Sequence, residues 1–273
     1  MTEKVVTVNK IRIGGKNPLA LIAGPCVIES RRACLGLARR LAALARTERI
    51  PFIFKASYDK ANRSSHQSFR GLGLVKGLEI LAEIRETLEV PVLTDVHCTT
   101  EVGLVAKVVD IIQIPAFLCR QTDLVLAAGE SGKVVNVKKG QFLAPWDMEN
   151  VVAKIESTGN RKILLTERGT SFGYNNLVAD MRSLRIMREF GYPVVFDATH
   201  SVQRPGGAGR ESAGDGRWAP YLARAAVAAG CDAVFMETHL VPAKALSDRQ
   251  NLVPFPDLKD LWRMLRAIDD VVD

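Results

Sequence analysis

The sequence predicts an α/β fold, a (β/α)8 TIM barrel with a short N-terminal β-hairpin. Eight short apolar segments rich in β-branched residues alternate with longer amphipathic segments along the 273 residues. Strands that are apolar throughout are typical of a parallel sheet covered by helices. Eight such units in about 250 residues favour a closed barrel over an open, doubly wound sheet. No Gly-rich dinucleotide fingerprint follows the first strand, which also favours the barrel.

The eight predicted strands begin near residues 19, 52, 91, 111, 134, 162, 193 and 233. Their sequences are LALIAGPC, FIFKASYD, PVLTDVH, IIQIPAF, VVNVKKG, KILLTERG, PVVFDATH and AVFMETH. Segments between them, such as RRACLGLARRLAALAR and GLEILAEIRETLE, carry apolar residues at helical spacing. The N-terminal segment VVTVNKIRIGGKNP predicts two short strands around a Gly-Gly turn. A hairpin that closes the bottom of the barrel and a frayed lead-in are equally compatible with it. We expect one catalytic domain over residues 1–273.

The charge balance favours small anionic ligands. The formal net charge is +7 and the sequence pI is about 9.3, which suits acidic partners. The basic residues are scattered, without a long basic run and without the interleaved aromatic residues of single-strand binders. We therefore expect no nucleic-acid partner.

The five cysteines predict a reduced, cytoplasmic protein. They are Cys26, Cys34, Cys98, Cys119 and Cys231; their number is odd and no CxxC pair occurs. The N-terminal residues lack the apolar stretch of a signal peptide, and no apolar run is long enough to span a bilayer. We expect neither disulfides nor a membrane segment.

In β/α barrels the active site lies at the carboxyl ends of the strands. Polar side chains occur at that end of all eight predicted strands, where a buried polar group costs free energy unless it is paired or functional. In chain order these residues are Cys26; Lys55, Ser57 and Lys60; Asp95 and His97; Gln113; Lys138; Arg168; His200; and Glu237 with His239.

Three of these cations predict an anion site. Lys55 and Lys138 lie within apolar strands, where each either pairs structurally with a carboxylate or binds a ligand. Together with Arg168 they are suited to a phosphate or carboxylate group, each charge-assisted bond contributing about 1.5–3 kcal/mol. The segment KANRSS, residues 60–65, adds two cations with hydroxyl and amide donors. It is either a second phosphate site or a solvated polar turn.

Four residues of different types form a candidate metal site: Cys26, His200, Glu237 and Asp248. The first, seventh and eighth strands become neighbours when a barrel closes. Thiolate, imidazole and carboxylate together suit zinc, iron or manganese. No local ligand motif exists, so Cys26 as a small core residue and His200 as a hydrogen-bonded core histidine remain open. We interpret the other cysteines as packing or rim residues.

Nine segments of the chain are similar to one known family. The segments AGPCVIES, FKASYDKANRSS, LTDVH, IQIPAFLCRQTDL, NVKKGQFLAPWDM, LTERGTSFGYNNLV, FDATHSVQRPGG, FMETH and KALSD resemble the 3-deoxy-D-manno-octulosonate 8-phosphate (KDO 8-phosphate) synthase family, from about residue 23 to residue 248. The resemblance implies a transferase that condenses phosphoenolpyruvate with D-arabinose 5-phosphate and water. The products would be 3-deoxy-D-manno-octulosonate 8-phosphate and inorganic phosphate, in KDO and lipopolysaccharide biosynthesis.

The related 3-deoxy-heptulosonate 7-phosphate synthases use erythrose 4-phosphate and share the barrel and the GPC turn. They typically carry a Lys-Pro-Arg-Thr loop where this chain has KANRSS, so the loop favours the five-carbon sugar. A metal-dependent aldolase that does not use phosphoenolpyruvate, and a non-catalytic phosphosugar-binding protein, are the alternatives from other classes.

The resemblance also implies a divalent metal cofactor. Metal-independent members have asparagine at the position of Cys26, whereas this chain has the cysteine and fills the other ligand positions with His200, Glu237 and Asp248. It is therefore similar to the metal-dependent class, with zinc, iron or manganese as the expected ion. After Asp248 the chain reads RQNLVPF, where many relatives have a Gly-Pro segment.

The resemblance assigns the remaining roles by position. Phosphoenolpyruvate would contact Lys60, Lys138 and Arg168, assisted by Ser57, Gln113 and Arg120. The sugar phosphate would be bound by Asn62, Arg63 and Ser64, across a subunit interface of a homotetramer. The candidate catalytic residues are Lys55, Asp95 and His200. The Gly-rich loop of residues 205–216 is expected to close over the site.

Overall fold

A computed structural model describes residues 4–207 and 213–272. Within these residues, eight parallel strands form the predicted barrel: β1 (Ala20–Gly24), β2 (Phe52–Lys55), β3 (Val92–Asp95), β4 (Ile111–Ile114), β5 (Val134–Lys138), β6 (Ile163–Glu167), β7 (Val194–Asp197) and β8 (Ala233–His239). Each strand pairs with the next along the chain, and β8 also pairs with β1, which closes the barrel. The TIM barrel is therefore confirmed, and every strand begins within about one residue of its predicted start.

Helices follow the strands in alternation and cover the outside of the barrel. They are α1 (Arg31–Glu48), α2 (Leu74–Leu88), α3 (Thr99–Val108), α4 (Thr122–Glu130), α5 (Met148–Ser157), α6 (Arg182–Arg188), α7 (Ala219–Ala228) and α8 (Leu258–Val272). The hydroxyl of Ser30 caps α1 by accepting a hydrogen bond from Ala33 N. The buried face of each helix packs against the strands because its apolar residues recur at helical spacing.

The N-terminal hairpin closes the bottom of the barrel. Its strands, Val6–Val8 and Ile11–Ile13, pair in antiparallel fashion, and Val6, Val8 and Ile13 join the apolar cluster inside the barrel. The predicted position of the turn was wrong, because the chain reverses at Asn9 and Lys10 and the two glycines follow the second strand. Asn9 has a φ of 52°, a left-handed conformation that asparagine tolerates in tight turns.

Two loops at the carboxyl end of the barrel bring distant residues to the site. After β7, residues 203–204 pair with residues 213–214, and the loop expected to close over the site contains residues 208–212, which lie outside the described residues. After β8, Val253–Pro254 pairs in parallel with the end of that strand. This pairing returns the segment that contains Asp248 to the barrel rim. Among the residues that the structure covers, no helix is long and apolar enough to cross a membrane.

Candidate active site

A cavity of about 590 Å³ opens at the carboxyl ends of the strands, a size typical of small-molecule sites. It collects most of the residues that were selected from the sequence. Those that line it are Lys55, Lys60, Asn62, Arg63, Ser64, Asp95, His97, Gln113, Lys138, Arg168, His200, Glu237 and Asp248.

Four other selected residues do not line this cavity. Ser57 is buried beneath it and donates a hydrogen bond to Asp95 Oδ1 at 2.5 Å, and Cys26 is buried beside it. His239 lies on the rim, where its Nδ1 is 2.7 Å from the carbonyl oxygen of Val241. Arg120 is exposed, so a single chain does not bring its guanidinium to the cavity.

Three of the candidate metal ligands converge. Their ligand atoms, from Cys26, Glu237 and Asp248, all lie within 4.8 Å of one another. Gly24, at the end of β1, permits a close approach to β2, because an added Cβ there would lie 1.8 Å from the carbonyl oxygen of Lys55. Cys26 follows two residues later, and its Sγ donates to Asp248 Oδ2 at 3.1 Å.

The imidazole of His200, the fourth ligand predicted from the sequence, lies next to this group of three residues. Its Nε2 lies 3.5 Å from Glu237 Oε2. Burial raises the pKa of the Cys26 thiol well above its usual value. Burial would also raise the pKa of Glu237, but the charges of Lys55 and His200 hold it well below its usual value. The site thus combines sulfur, nitrogen and carboxylate donors, and a bound cation would stabilise the buried thiolate. The residues present fit a divalent transition metal.

Lys55, at the wall of the cavity, is paired with the carboxylate of Glu237. Its Nζ donates to Glu237 Oε1 at 2.5 Å and to the carbonyl oxygen of Cys26 at 3.0 Å, and all three groups are buried. Lys60 Nζ lies 3.7 Å from the same carboxylate oxygen. The alternative of a structural pair, considered from the sequence, therefore describes the contacts of Lys55.

Lys138 and Arg168 form a cationic pair at the other side of the cavity. Lys138 Nζ donates to Asp197 and lies 3.6 Å from the centre of the Phe235 ring. Arg168 Nη2 donates to Gln203 Oε1 at 2.6 Å. Within the part of the chain that the structure describes, Arg168 Nη1 is buried without a hydrogen-bond partner. Because a buried unpaired donor costs about 1–3 kcal/mol, this nitrogen is suited to binding an anionic ligand.

A buried ion pair that the sequence reasoning missed supports Arg168. Glu167 Oε1 accepts hydrogen bonds from the backbone N–H groups of Arg168, at 2.9 Å, and Gly169, at 2.6 Å. Lys139 Nζ lies 3.6 Å from the same oxygen and donates to Thr170 Oγ1 at 2.9 Å. Glu167 is the last residue of β6 and Lys139 directly follows β5. A search for charged residues at the carboxyl ends of apolar strands, which identified Lys138 and Arg168, could therefore also have identified this pair.

The amide of Gln113 is oriented by two buried neighbours. Asn136 Nδ2 donates to Gln113 Oε1 at 3.1 Å, and Thr166 Oγ1 donates to Asn136 Oδ1 at 2.6 Å. Since the oxygen of Gln113 is already used, its Nε2 group remains to donate into the cavity. Gln113 therefore adds a neutral donor to the cationic side of the site.

The loop of residues 60–65 lies against the candidate metal site. Arg63 is half-buried; its Nε donates to the carbonyl oxygen of Phe69 at 3.2 Å and its Nη2 donates to Ser247 Oγ. Ser247 Oγ is also 2.8 Å from Cys26 Sγ. Asn62 and Ser64 are exposed at the mouth of the cavity.

Asp95 is an ionised carboxylate at the base of the cavity. Burial alone would raise the pKa of Asp95, but the charge of Lys60, followed by that of His97, lowers it to about 2. His97 Nε2 lies 3.8 Å from Asp95 Oδ2. The group is therefore an acceptor of hydrogen bonds at neutral pH.

Comparison with known proteins agrees with this geometry. Residues 3–271 match the family described as the DAHP synthetase I family. The protein named 2-dehydro-3-deoxyphosphooctonate aldolase from Geotalea daltonii is 60% identical to this chain over 269 residues, which cover 98% of this chain and 99% of the relative. The protein of the same name from Geobacter metallireducens is 60% identical over 267 residues, which cover 98% of each chain. The protein of the same name from Pelobacter propionicus is 57% identical over 272 residues, with complete coverage of both chains. The chain belongs to the DAHP synthetase I family, in the group of the 2-dehydro-3-deoxyphosphooctonate aldolases.

Proposed function

We propose that this protein condenses phosphoenolpyruvate with D-arabinose 5-phosphate and water, giving 3-deoxy-D-manno-octulosonate 8-phosphate and inorganic phosphate. The compound in the relatives' name, 2-dehydro-3-deoxyphosphooctonate, is this product under another chemical name. The observation that carries the proposal is the placement of two cationic groups on one cavity, with the candidate metal site between them. A reaction that joins two phosphorylated substrates needs two anion sites on one cavity. We assign this step to KDO and lipopolysaccharide biosynthesis.

In the proposal, phosphoenolpyruvate binds on the side of Lys138 and Arg168. Arg168 Nη1 and Gln113 Nε2 supply the donors: Gln203 binds the other nitrogen of the Arg168 guanidinium, and the buried Asn136 binds the oxygen of Gln113. Lys60 and Ser57 assist from the segment that follows β2. Donors that are fixed before the substrate arrives stabilise charge without reorganisation. Arg120 would assist only from another subunit, because it is exposed in a single chain.

The sugar phosphate binds at Arg63, Asn62 and Ser64, which places its aldehyde near Asp95. The vinyl carbon of phosphoenolpyruvate attacks the aldehyde carbon, whose oxygen takes up a proton and becomes a hydroxyl group. Water adds to the resulting cationic centre and gives up a proton, and cleavage of the C–O bond then releases inorganic phosphate. Asp95 is ionised and accepts a hydrogen bond from Ser57, so in this proposal its other oxygen orients a sugar hydroxyl. Lys55 holds Glu237 in place, and we assign it a positioning role.

The proposal includes a divalent metal, zinc, iron or manganese, held by Cys26, His200, Glu237 and Asp248. Such an ion supplies Lewis-acid chemistry, polarising an aldehyde oxygen or a water molecule. The convergence of three of these residues supports the assignment. Asp197 binds Nδ1 of His200, which leaves Nε2 available, and we assign His200 the role of a metal ligand.

We also propose a homotetramer in the cytoplasm. Five large aromatic residues are exposed on the rim that follows β4, β5 and β6, and one of them, Tyr174, is 99% exposed. The five are Phe117, Phe142, Trp146, Phe172 and Tyr174. Exposed apolar groups concentrated on one face are typical of protein contacts. Arg120 belongs to the same rim, so association through it supports the role that the family resemblance gives to this arginine.

A phosphate-release assay tests the function. Purified protein is supplied with phosphoenolpyruvate and either arabinose 5-phosphate or erythrose 4-phosphate, with and without a chelator, and the products are identified by mass spectrometry. The proposal expects phosphate and an eight-carbon product with the five-carbon sugar, abolished by the chelator. A preference for erythrose 4-phosphate would support the heptulosonate synthase instead. Reversible cleavage without phosphate release would support the aldolase, and no turnover of any pair would leave a binding protein.

A further inference from the structure

The carboxylate of Asp197 touches both halves of the site. Asp197 ends β7 and is completely buried. Its Oδ2 accepts a hydrogen bond from Lys138 Nζ and lies 2.7 Å from His200 Nδ1. Its Oδ1 accepts from the backbone N–H of His200 at 2.9 Å and from Thr199 Oγ1 at 3.1 Å. One side chain therefore connects a cation of the anion site with a candidate metal ligand.

These contacts determine which nitrogen of His200 carries the proton. Lys138 Nζ donates to one oxygen of Asp197, and the backbone N–H of His200 and the hydroxyl of Thr199 donate to the other, so both oxygens act as acceptors, as those of a carboxylate do. An ionised carboxylate only accepts hydrogen bonds. The contact at Nδ1 must then be an N–H donor, and a neutral imidazole has only one such group. The lone pair is left on Nε2, the atom that faces Glu237 at 3.5 Å.

We propose that Asp197 is a positioning residue that keeps the Nε2 of His200 free for a divalent metal and links metal binding to anion binding through Lys138. Carboxylates that orient metal-binding histidines in this way change metal affinity by about 10- to 100-fold when removed. The shared contact with Lys138 gives this carboxylate a second task. The part concerning the anion rests on the proposed function, whereas the part concerning His200 does not.

The first test is the tautomer of His200 in the metal-free protein. The chain contains four histidines, so nitrogen-15 spectra are readily assigned, with His200→Gln identifying the relevant ring. The proposal expects the proton on Nδ1 in the unsubstituted protein. A proton on Nε2 would overturn the proposal without the need for any variant at Asp197.

The second test is Asp197→Asn. An asparagine amide can donate to Nδ1, which shifts the proton of His200 towards Nε2 and blocks the metal-binding atom. We expect this shift in the spectrum, and a dissociation constant for Zn²⁺ that rises by about 10- to 100-fold in competition with a chelator. Asp110→Asn is the matched control, because Asp110 is also buried and binds Arg85 Nε and Val92 N at the opposite end of the barrel. An unchanged tautomer and Zn²⁺ affinity in Asp197→Asn would contradict the assignment.

The third test measures the link between the two ligands. When an anion pairs with Lys138, the contact between Lys138 and Asp197 weakens, and the carboxylate binds the Nδ1–H group of His200 more strongly. Phosphoenolpyruvate should therefore tighten Zn²⁺ binding, and Zn²⁺ must tighten phosphoenolpyruvate binding by the same factor. The Zn²⁺ dissociation constant is measured with and without saturating phosphoenolpyruvate. We expect the tightening to be at least about fivefold smaller in Asp197→Asn than in the unsubstituted protein, which is the lower end of the coupling common between two sites. Equal tightening in both would overturn the link, whereas failure of the phosphate-release assay would overturn only the proposed function.

Discussion

The orientation of Gln113 depends on a hydroxyl group that never reaches the cavity. Thr166 on β6 donates to Asn136 Oδ1, and Asn136 in turn donates to Gln113 Oε1. All three side chains are buried. The substitution Thr166→Val removes the first donor of this series and keeps the shape of the side chain.

The expected magnitude follows from these contacts. The substitution removes one buried hydrogen bond and leaves Asn136 Oδ1 unsatisfied, which together should reduce the free energy of unfolding by about 1–3 kcal/mol. The amide of Asn136 can then rotate, and Gln113 loses the constraint that directs its Nε2 to the cavity. A donor to a charged ligand contributes about 1.5–3 kcal/mol, so partial loss of its orientation should raise the KM for phosphoenolpyruvate by about three- to tenfold.

Thr94→Val provides a matched control. Thr94 on β3 is equally buried, and its hydroxyl donates to the carbonyl oxygen of Ala56 at 2.7 Å. This substitution should cost similar stability without changing the KM for phosphoenolpyruvate. Urea unfolding measures the first quantity and steady-state phosphate release the second. Equal KM values in the two variants would refute the role assigned to Thr166 and Asn136.

Three further predictions concern residues of the site itself. Cys26→Ala should lose both bound metal and turnover, as measured by elemental analysis and phosphate release; full activity of the unsubstituted protein in excess chelator would rule out the metal assignment. Arg63→Ala should raise the KM for arabinose 5-phosphate at least about tenfold, because a charge-assisted bond is lost, and far more than the KM for phosphoenolpyruvate; an equal effect on both would refute the assignment. The pKa of Asp95 is about 2 in the folded protein, against 3.8 for the ordinary group. Ionised Asp95 therefore contributes about 2 kcal/mol to the free energy of unfolding above pH 3.8, and about half of this contribution is lost when the pH falls to 3. The difference in unfolding free energy between the unsubstituted protein and Asp95→Asn should shrink accordingly from pH 6 to pH 3, and a constant difference would contradict this.

Much of the site could be predicted because a barrel brings the ends of all its strands together. A charged residue at the end of an apolar strand, such as Lys138 or Glu237, is placed on the cavity wherever it occurs in the chain. Strand starts were located within about one residue for the same reason, since the apolar runs are short and clearly bounded. The sequence did not predict the turn of the N-terminal hairpin, where Asn9 and not a glycine takes the left-handed conformation.

Pairing between side chains could not be predicted, because it depends on packing distances of a few tenths of an ångström. Lys55 and Glu237 are 182 positions apart in the chain and their charged atoms are 2.5 Å apart in the structure. No periodicity indicates that Lys55 takes this carboxylate while Arg168 retains a nitrogen without a partner. Asp197 is the last residue of β7, but only His200 was chosen from that segment, as a candidate metal ligand, so the carboxylate that binds it was missed.

The contacts separate the cations of the site into two groups with different tasks. Lys55 and Lys139 are buried against carboxylates, and because the loss of one member of such a pair costs about 3–5 kcal/mol, their charges are committed to the fold. Arg168 differs, because in the described structure its Nη1 is buried on the cavity without a partner. The cost of that unsatisfied donor is recovered when an anion binds, so the site gains affinity from a group that the fold leaves incomplete. Lys138 belongs to both groups, since it is paired with Asp197 and also lines the cavity. This double contact is the basis of the proposed coupling, in which Asp197 would transmit an effect of a bound anion to His200, a candidate metal ligand.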